Sequence, residues 1–508
     1  MTTLFLCLLM ISLLFVAAPL FLLIGAGTIF GYLFFNGMSW EELTIAESMR
    51  QLTDQQPLLA VPFFVLAGEI MSRGAIATRL VNVARAFFGG LPGGLGIAAV
   101  IACMFFAAIS GSSPVTVMTI GAVMYPALLK AGYDERFSTG LITSAGTLGI
   151  LIPPSIPMIV YAIFASGRQT IQVESLFLAG IGPGLLIGLL LSCYCLWIGV
   201  RHGKAIQSST IPLWQALGEG IWSLALPLLI LGGIYGGLFT ATEAAAVSVV
   251  YSLFVELFIH RSLSITALPA AVGKATVLMG SLLLIFAIAM SLNDLVVELE
   301  LPDRAVAWIK SQELSPVSFM LLLNGFLLIV GCLMDILSAI MILVPLLAPM
   351  AASYGIDPVH LGVVFIVNLE LGYLTPPMGL NLFVATTVFK RSLGEVVRSV
   401  LPFMGILLVS LLLVSYIPSI SLGPVRLLEG KSFYVPFPDG ESDEEEESST
   451  SAGAGLSIEE LMRNSGAFDE DEDEDEDGDY ADDADDADET DDADKADEGE
   501  DSAEGAED

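Results

Sequence analysis

Basic charge is scarce throughout this sequence: its 508 residues include only 20 Lys and Arg. From Asp439 onward there are 35 acidic and 2 basic residues, so the body of the chain holds 21 acidic and 18 basic ones and is nearly neutral. Without a basic face nothing can meet a phosphate backbone, which excludes a nucleic-acid binder. Cysteine and histidine are equally thin. Cys7, Cys103, Cys193, Cys195 and Cys332 all lie in apolar stretches, where a thiol behaves as a small hydrophobe. His202, His260 and His360 are scattered, so neither a disulfide framework nor a metal centre is expected. No nucleophile and base, and no His/Cys/Asp cluster, has a spacing that suits catalysis, so the chain does not read as an enzyme and no organic cofactor is expected. No Lys or Arg precedes Arg50, whereas a cleaved secretory signal has a basic start; the apolar run 4–35 therefore reads as a retained anchor.

Apolar residues fill the space that charge leaves. They make up 55% of the chain, with a mean hydropathy of +0.76, which predicts an all-α polytopic membrane protein. Runs long enough to span fall at about 4–35, 58–72 (short), 175–200, 220–239, 241–259, 274–293 and 400–421. Two further regions, 94–166 and 316–389, are apolar but broken by Gly, Ser and Pro clusters. Lipid tolerates irregular backbone only where it is buried in protein or lines a wet cavity, so the broken regions carry the function. Each follows an amphipathic stretch, with Arg73, Arg79 and Arg85 in the first and Asp303, Arg304 and Lys310 in the second, and these read as helices lying along a membrane lipid interface.

The two broken regions are repeats. A shift of 223 residues aligns 126–162 with 349–385 without a gap, and the identities include Pro126/Pro349, Gly132/Gly355, Asp134/Asp357, Gly149/Gly372, Pro153/Pro376 and Pro154/Pro377. A Pro-Pro pair inside an apolar helix removes donors and clashes with the preceding turn, so the helix must open there. The candidate openings are Pro153, Pro154 and Ser155 in LIPPSIP, and Thr375, Pro376, Pro377, Met378 and Gly379 in LTPPMGL, with Asn381 following. Bare carbonyls at such a break suit a small cation, and the N-terminus of the second half-helix favours an anion.

About forty residues upstream of each break lies a second interruption, SGSSP (Ser110–Pro114) and GCLMDILS (Gly331–Ser338), flanked by half-length apolar segments. That pattern describes a re-entrant hairpin. At the first tip Ser110, Gly111, Ser112 and Ser113, with Thr116, offer hydroxyl and backbone ligands for a hard cation or a carboxylate. At the second, Asp335 stands among apolar residues, where an unpaired charge is costly; a cation partner is expected, with a structural salt bridge or a protonated acid as the alternatives. Glu370 and Glu243 are further acids in apolar surroundings, each either a ligand or a helix-interface hydrogen-bonding group.

At these residues the chain resembles the large membrane subunit of the tripartite ATP-independent periplasmic (TRAP) transporters. The likeness spans about Pro57 to Ser421, and its most specific strings are GCLMDILSAI and IDPVHLGVVFIVNLELGYLTPPMGLNLFVA. The resemblance implies a secondary transporter of the bacterial inner membrane that imports an organic acid on a sodium gradient. It also implies two partners, a periplasmic substrate-binding protein and a small four-helix membrane subunit, the latter expected as a separate chain because none is fused at the N-terminus. Its architecture would be an inverted-repeat elevator with two re-entrant hairpins and two broken helices. Carried onto this chain, 1–93 and 167–315 hold scaffold helices and interfacial arms, 94–166 and 316–389 are the transport repeats, 390–438 is the final span with a short extension, and 439–508 is an acidic tail. Sodium would be held at Ser110, Ser112, Asp335 and Thr375. The competing readings are a stand-alone sodium/dicarboxylate symporter or an ion antiporter of related architecture, and a non-transporting scaffold acting through its tail.

The tail is Asp, Glu, Ala, Gly and Ser with too few apolar residues for a core, so it is expected to be disordered, with a short island at Leu456–Met462. It departs from the family pattern. With the first hairpin entering from the cytoplasm, 12 of the body's 18 basic residues fall inside and 6 outside, which favours that orientation. The second hairpin then enters from the other side, and the tail is periplasmic.

Overall fold

The structure, a computed structural model, describes residues 20–34, 50, 55–165, 171–201, 212–377 and 379–438. All belong to the unit Met1–Glu444; the unit Glu445–Asp508 lies outside the described residues, and with it the Leu456–Met462 island. Eighteen α-helices and no strand are found among the described residues. Among the described residues, six helical stretches are long and apolar enough to cross a membrane.

The first hairpin consists of α4 (Gly94–Ser110) and α5 (Ser113–Lys130), followed by α6 (Glu135–Ala145), a 3₁₀ turn over Gly146–Ile150 and α7 (Ile156–Ala165). The second consists of α13 (Pro316–Leu333) and α14 (Ile336–Ala352), followed by α15 (Pro358–Gly372) and α16 (Leu380–Phe389). Both helices open at the expected prolines, and both Pro-Pro bonds are cis. The identities shared by the repeats have local causes. Gly132 and Gly355 have φ of +77° and +72°, the left-handed turn after a helix that a side chain resists. Asp134 and Asp357 then cap the next helix: Asp134 accepts from the Arg136 N–H at 3.2 Å, and Asp357 from Val359 and His360 at 2.8 and 3.1 Å. The Gly-x-Asp pair thus encodes one corner, used twice.

The repeats interlock rather than sit side by side. α7 packs on α14 of the other repeat, and α16 packs on α5. The long helix after each repeat crosses over in the same way: α8 (Val173–Arg201) packs on α15, and α17 (Leu393–Tyr416) on α6. Around this centre lie α1 (Leu20–Phe34), α2 (Ala60–Arg73), α9 (Leu213–Tyr235), α10 (Ala241–Phe254) and α11 (Leu268–Glu298), with α2 against α10 and α11. Leu189, Val250 and Val277 are among the apolar side chains that these helices leave exposed, as lipid-facing positions must be in a polytopic protein.

Two spans differ from the hydropathy pattern. The run 400–421 is two helices, because Pro418 disfavours helical backbone at Ile417 (φ −123°, ψ 80°); α17 stops at Tyr416 and α18 (Ser419–Leu428) begins. The run from 220 begins earlier, at Leu213, in polar turns that a hydropathy window passes over. The anchor 4–35 is described only over α1.

Both amphipathic stretches are helical. α3 (Ile76–Phe88) follows α2 after a bend of 71° and buries Ile76, Leu80, Val81, Val83 and Ala84 against α4 and α9. Its N-terminus is held by Glu256, whose carboxylate accepts from the Ala75 and Ile76 N–H groups at 3.1 and 3.0 Å and from the Ser262 hydroxyl. α12 (Leu301–Lys310) buries only Ile309 and rests on α14.

Candidate substrate and cation site

The first hairpin tip is a closed hydroxyl cluster. Gly111 turns the chain at φ +57°, and its Cα hydrogens lie where an added Cβ would stand 2.9 Å from the Pro154 carbonyl oxygen, so the tip rests directly on the first break. Ser110 Oγ and Thr116 Oγ1 are 3.0 Å apart, and both hydroxyls donate to the Ser112 carbonyl, at 3.3 and 2.9 Å. Ser112 takes the cap position of α5 in extended backbone, but its side chain makes no cap bond. Pro153, Pro154 and Ser155 are buried, and Ser155 Oγ donates to the Ile150 carbonyl.

The two repeats meet at this tip. Asn381, in the first turn of α16, donates through Nδ2 to Ser113 Oγ in the first turn of α5. Neither helix has a side-chain cap, since Gly379 takes the cap position of α16. Asn381 Oδ1 is buried without a hydrogen-bond partner. Two uncapped helix N-termini, one from each repeat, therefore converge; unpaired N–H groups and the positive ends of two helix dipoles make this the natural seat for an anion.

The second tip is open. Asp335, expected to be a buried acid in want of a cation, is exposed: it stands at the turn between α13 and α14 rather than inside an apolar helix. Its Oδ2 accepts from the Leu337 and Ser338 N–H groups at 3.1 and 3.4 Å, capping α14, and its Oδ1 accepts from the Tyr373 hydroxyl at 2.8 Å. The protein satisfies this carboxylate by capping, with no basic side chain against it among the described residues. Pro376 and Pro377 are exposed and Thr375 half-buried, with Thr375 Oγ1 donating to the Leu371 carbonyl at 2.9 Å. Met378 lies outside the described residues. The chemistry is thus asymmetric: the first tip and break are sealed, the second tip and break face outward.

The other two acids separate. Glu243 is exposed and forms a capping box with Thr240, at 2.9 and 3.2 Å; TATE was a T-x-x-E start signal. Glu370 is fully buried on α15 and pairs with the Thr147 hydroxyl of the first repeat. Thr147 and Tyr373 were not singled out in the sequence. Thr147 was within reach of it, because the 223-residue shift maps it onto Glu370; Tyr373 had no such signal.

A family model described as the tripartite ATP-independent periplasmic transporter, DctM component, matches residues 6–420. The chain belongs to this family. The C4-dicarboxylate TRAP transporter large permease protein DctM of Pseudomonas aeruginosa is 43% identical over 75% of this chain and 88% of its own length. The Vibrio cholerae protein of the same description is 38% identical, covering 83% and 97%. Among solved structures, the crystal structure of the Alcanivorax borkumensis YdaH transporter, reported as having an unusual topology, matches with a TM-score of 0.55 at 16% identity, covering 77% of this chain and 89% of that one. That likeness concerns the fold alone. The chain is thus a multi-pass large permease component of a TRAP transporter, a class that transports rather than catalyses.

Proposed function

We propose that this chain is the large subunit of a sodium-coupled importer of an organic acid, handed over by a periplasmic substrate-binding protein and completed by a small four-helix membrane subunit. One observation carries the reading: the uncapped N-termini of α5 and α16 meet at the Ser113–Asn381 contact, a seat that fits a carboxylate. The names of the relatives support a C4-dicarboxylate as the first substrate to try.

Sodium fits the donors beside that seat, which among the described residues are hydroxyl, carboxylate and backbone oxygens. Ser110, Ser112 and the carbonyls around Pro153, Pro154 and Ser155 would hold one ion; Asp335, Thr375 and the Pro376–Gly379 backbone would hold another. A bound sodium would supply positive charge beside the substrate carboxylate. The protein's own part is alternating access. The interlocked repeats move as one body against the remaining helices, with α3 and α12 as the connecting arms, and the sealed first tip and open second tip describe one end of that movement. The chain lies in the inner membrane with the first hairpin entering from the cytoplasm. Arg73 and Lys274 are two of the 12 basic residues that this orientation puts inside, and they share Glu69 at 2.8 and 2.9 Å, in keeping with a position on one side of the membrane.

The test is uptake of radiolabelled succinate by proteoliposomes that contain the permease complex and its binding protein. A requirement for an inward sodium gradient is expected. Uptake that persists in potassium and follows the pH gradient instead would overturn the sodium assignment and favour a proton-driven carrier.

A further inference from the structure

Glu370 occupies a singular position. It is fully buried, and its partner Thr147 is its own counterpart under the 223-residue shift that relates the repeats. A residue that touches its symmetry equivalent lies on the axis between the two halves, so this carboxyl sits at the centre of the interlocked repeats, where the 3₁₀ turn over Gly146–Ile150 meets α15.

Its surroundings offer no positive charge. Among the described residues Glu370 forms no ion pair, and α7, α13, α14 and the 146–150 turn carry no charged residue. Asp335, the cap of α14, is engaged with Tyr373. The charged side chains of the other helices packed on α15 stand near helix ends: Glu174 and Arg201 on α8, Glu395 and Arg398 on α17, and Arg426 on α18. On α15 itself, His360 is taken by Ser421 and the Ser415 carbonyl.

The protons can be counted. The Thr147 hydroxyl has one, and it stands between two oxygens, the Ser144 carbonyl at 2.6 Å and Glu370 Oε1. If Thr147 donates to the carbonyl, its contact with Glu370 is a hydrogen bond only when the carboxyl brings a proton of its own. If Thr147 donates to Glu370 instead, an ionised carboxylate is left with one hydrogen bond, because Oε2 is buried without a partner. An ion so poorly solvated in a low-dielectric interior costs several kcal/mol. No group of three or more His, Cys, Asp or Glu surrounds it among the described residues, so a divalent cation has no site here.

We propose that Glu370 is a proton-binding site on the axis between the two broken helices, loaded in this conformation, with the acid donating to Thr147 and Thr147 donating to the Ser144 carbonyl. This deepens the transporter reading by giving the moving body a proton besides the ions at its hairpin tips, and the chemistry is the simple equilibrium of a carboxylate with H⁺.

Infrared difference spectroscopy of the purified full-length chain tests it. In spectra of wild type minus Glu370→Gln at neutral pH, the carbonyl stretch of one neutral carboxylic acid should be lost in the variant, and should shift in deuterium oxide. Thr147→Val, which removes the hydroxyl that accepts from the acid and donates to the Ser144 carbonyl, should keep the band and move it to higher frequency. The same carbonyl region in wild type and Glu370→Gln would overturn the proposal, as would an unmoved band in folded Thr147→Val. A band that disappears when sodium replaces potassium would also overturn it, showing the carboxylate to be a sodium ligand. None of these readings uses uptake, so failure of sodium-driven transport and failure of this site are separate results.

Discussion

Gly372 gives the sharpest structural test, because the magnitude follows from backbone alone. It ends α15 just before the second break and lies against Gly331 near the end of α13. A Cβ added at Gly372 would stand 2.4 Å from the Gly331 carbonyl carbon and 2.5 Å from its oxygen. Ordinary contact needs about 3.4 Å or more, so Gly372→Ala must push the second hairpin about 1 Å from its break, and no flexible side chain is there to yield. Overpacking of this kind costs about 1–3 kcal/mol, and a displacement of that size between binding groups is enough to lose about 100-fold in a rate that depends on their alignment. At the counterpart in the first repeat, Gly149, an added Cβ would stand 2.7 Å from the Ser112 carbonyl oxygen, and Gly149→Ala should behave in the same way. Gly405, inside α17, has open space where its Cβ would be, and Gly405→Ala should be neutral or slightly stabilising, since alanine is the better helix former. Succinate uptake in proteoliposomes and thermal stability in detergent, measured on all three, decide the matter. Wild-type uptake and stability in Gly372→Ala would show that the hairpin does not rest on the break.

Two further outcomes are expected. Glu256→Ala removes a carboxylate that holds two backbone N–H groups at the start of α3, and should lower stability by about 3 kcal/mol, read as a fall in melting temperature in detergent with the fold otherwise intact by circular dichroism; an unchanged melting temperature would show that the arm is held elsewhere. A cysteine at Ser449 should react with a membrane-impermeant thiol reagent in intact spheroplasts if the tail is periplasmic, and labelling only after lysis would reverse the orientation.

The repeat, the hairpins and the breaks were legible in the sequence because each rests on residues with few alternatives. Pro-Pro in an apolar helix must open it, and Gly-x-Asp both ends one helix and caps the next. The same directness marked Ser110, Ser112 and Ser113, whose hydroxyls have no reason to interrupt an apolar stretch unless the chain turns there. What escaped was contact between distant segments. Asp335 looked buried because its sequence neighbours are apolar, but a residue between two helices takes its environment from the turn, and the turn projects. Thr147 is an unremarked threonine in the 3₁₀ turn after α6 until α15 brings Glu370 against it. Glu256 was not singled out in the sequence, and only the fold carries it to a helix start some 180 residues away.

The exposure of Asp335 changes what its substitution tests. At a helix cap asparagine is about as good as aspartate, so Asp335→Asn keeps the bonds to Leu337 and Ser338 and should alter stability by less than about 1 kcal/mol, where a buried, ion-paired acid would cost several. What asparagine loses is the charge. The Tyr373 bond provides the control, since Tyr373→Phe removes the 2.8 Å hydrogen bond to Oδ1 and leaves the charge in place. If Asp335 holds sodium, Asp335→Asn should raise the sodium concentration for half-maximal uptake by at least about tenfold while Tyr373→Phe changes it little. Equal effects in both variants would mean that the contact only positions the tip against the break. Normal sodium dependence in Asp335→Asn would remove Asp335 from the cation site and leave the hydroxyls and carbonyls around Ser110, Ser112 and Thr375 to serve alone.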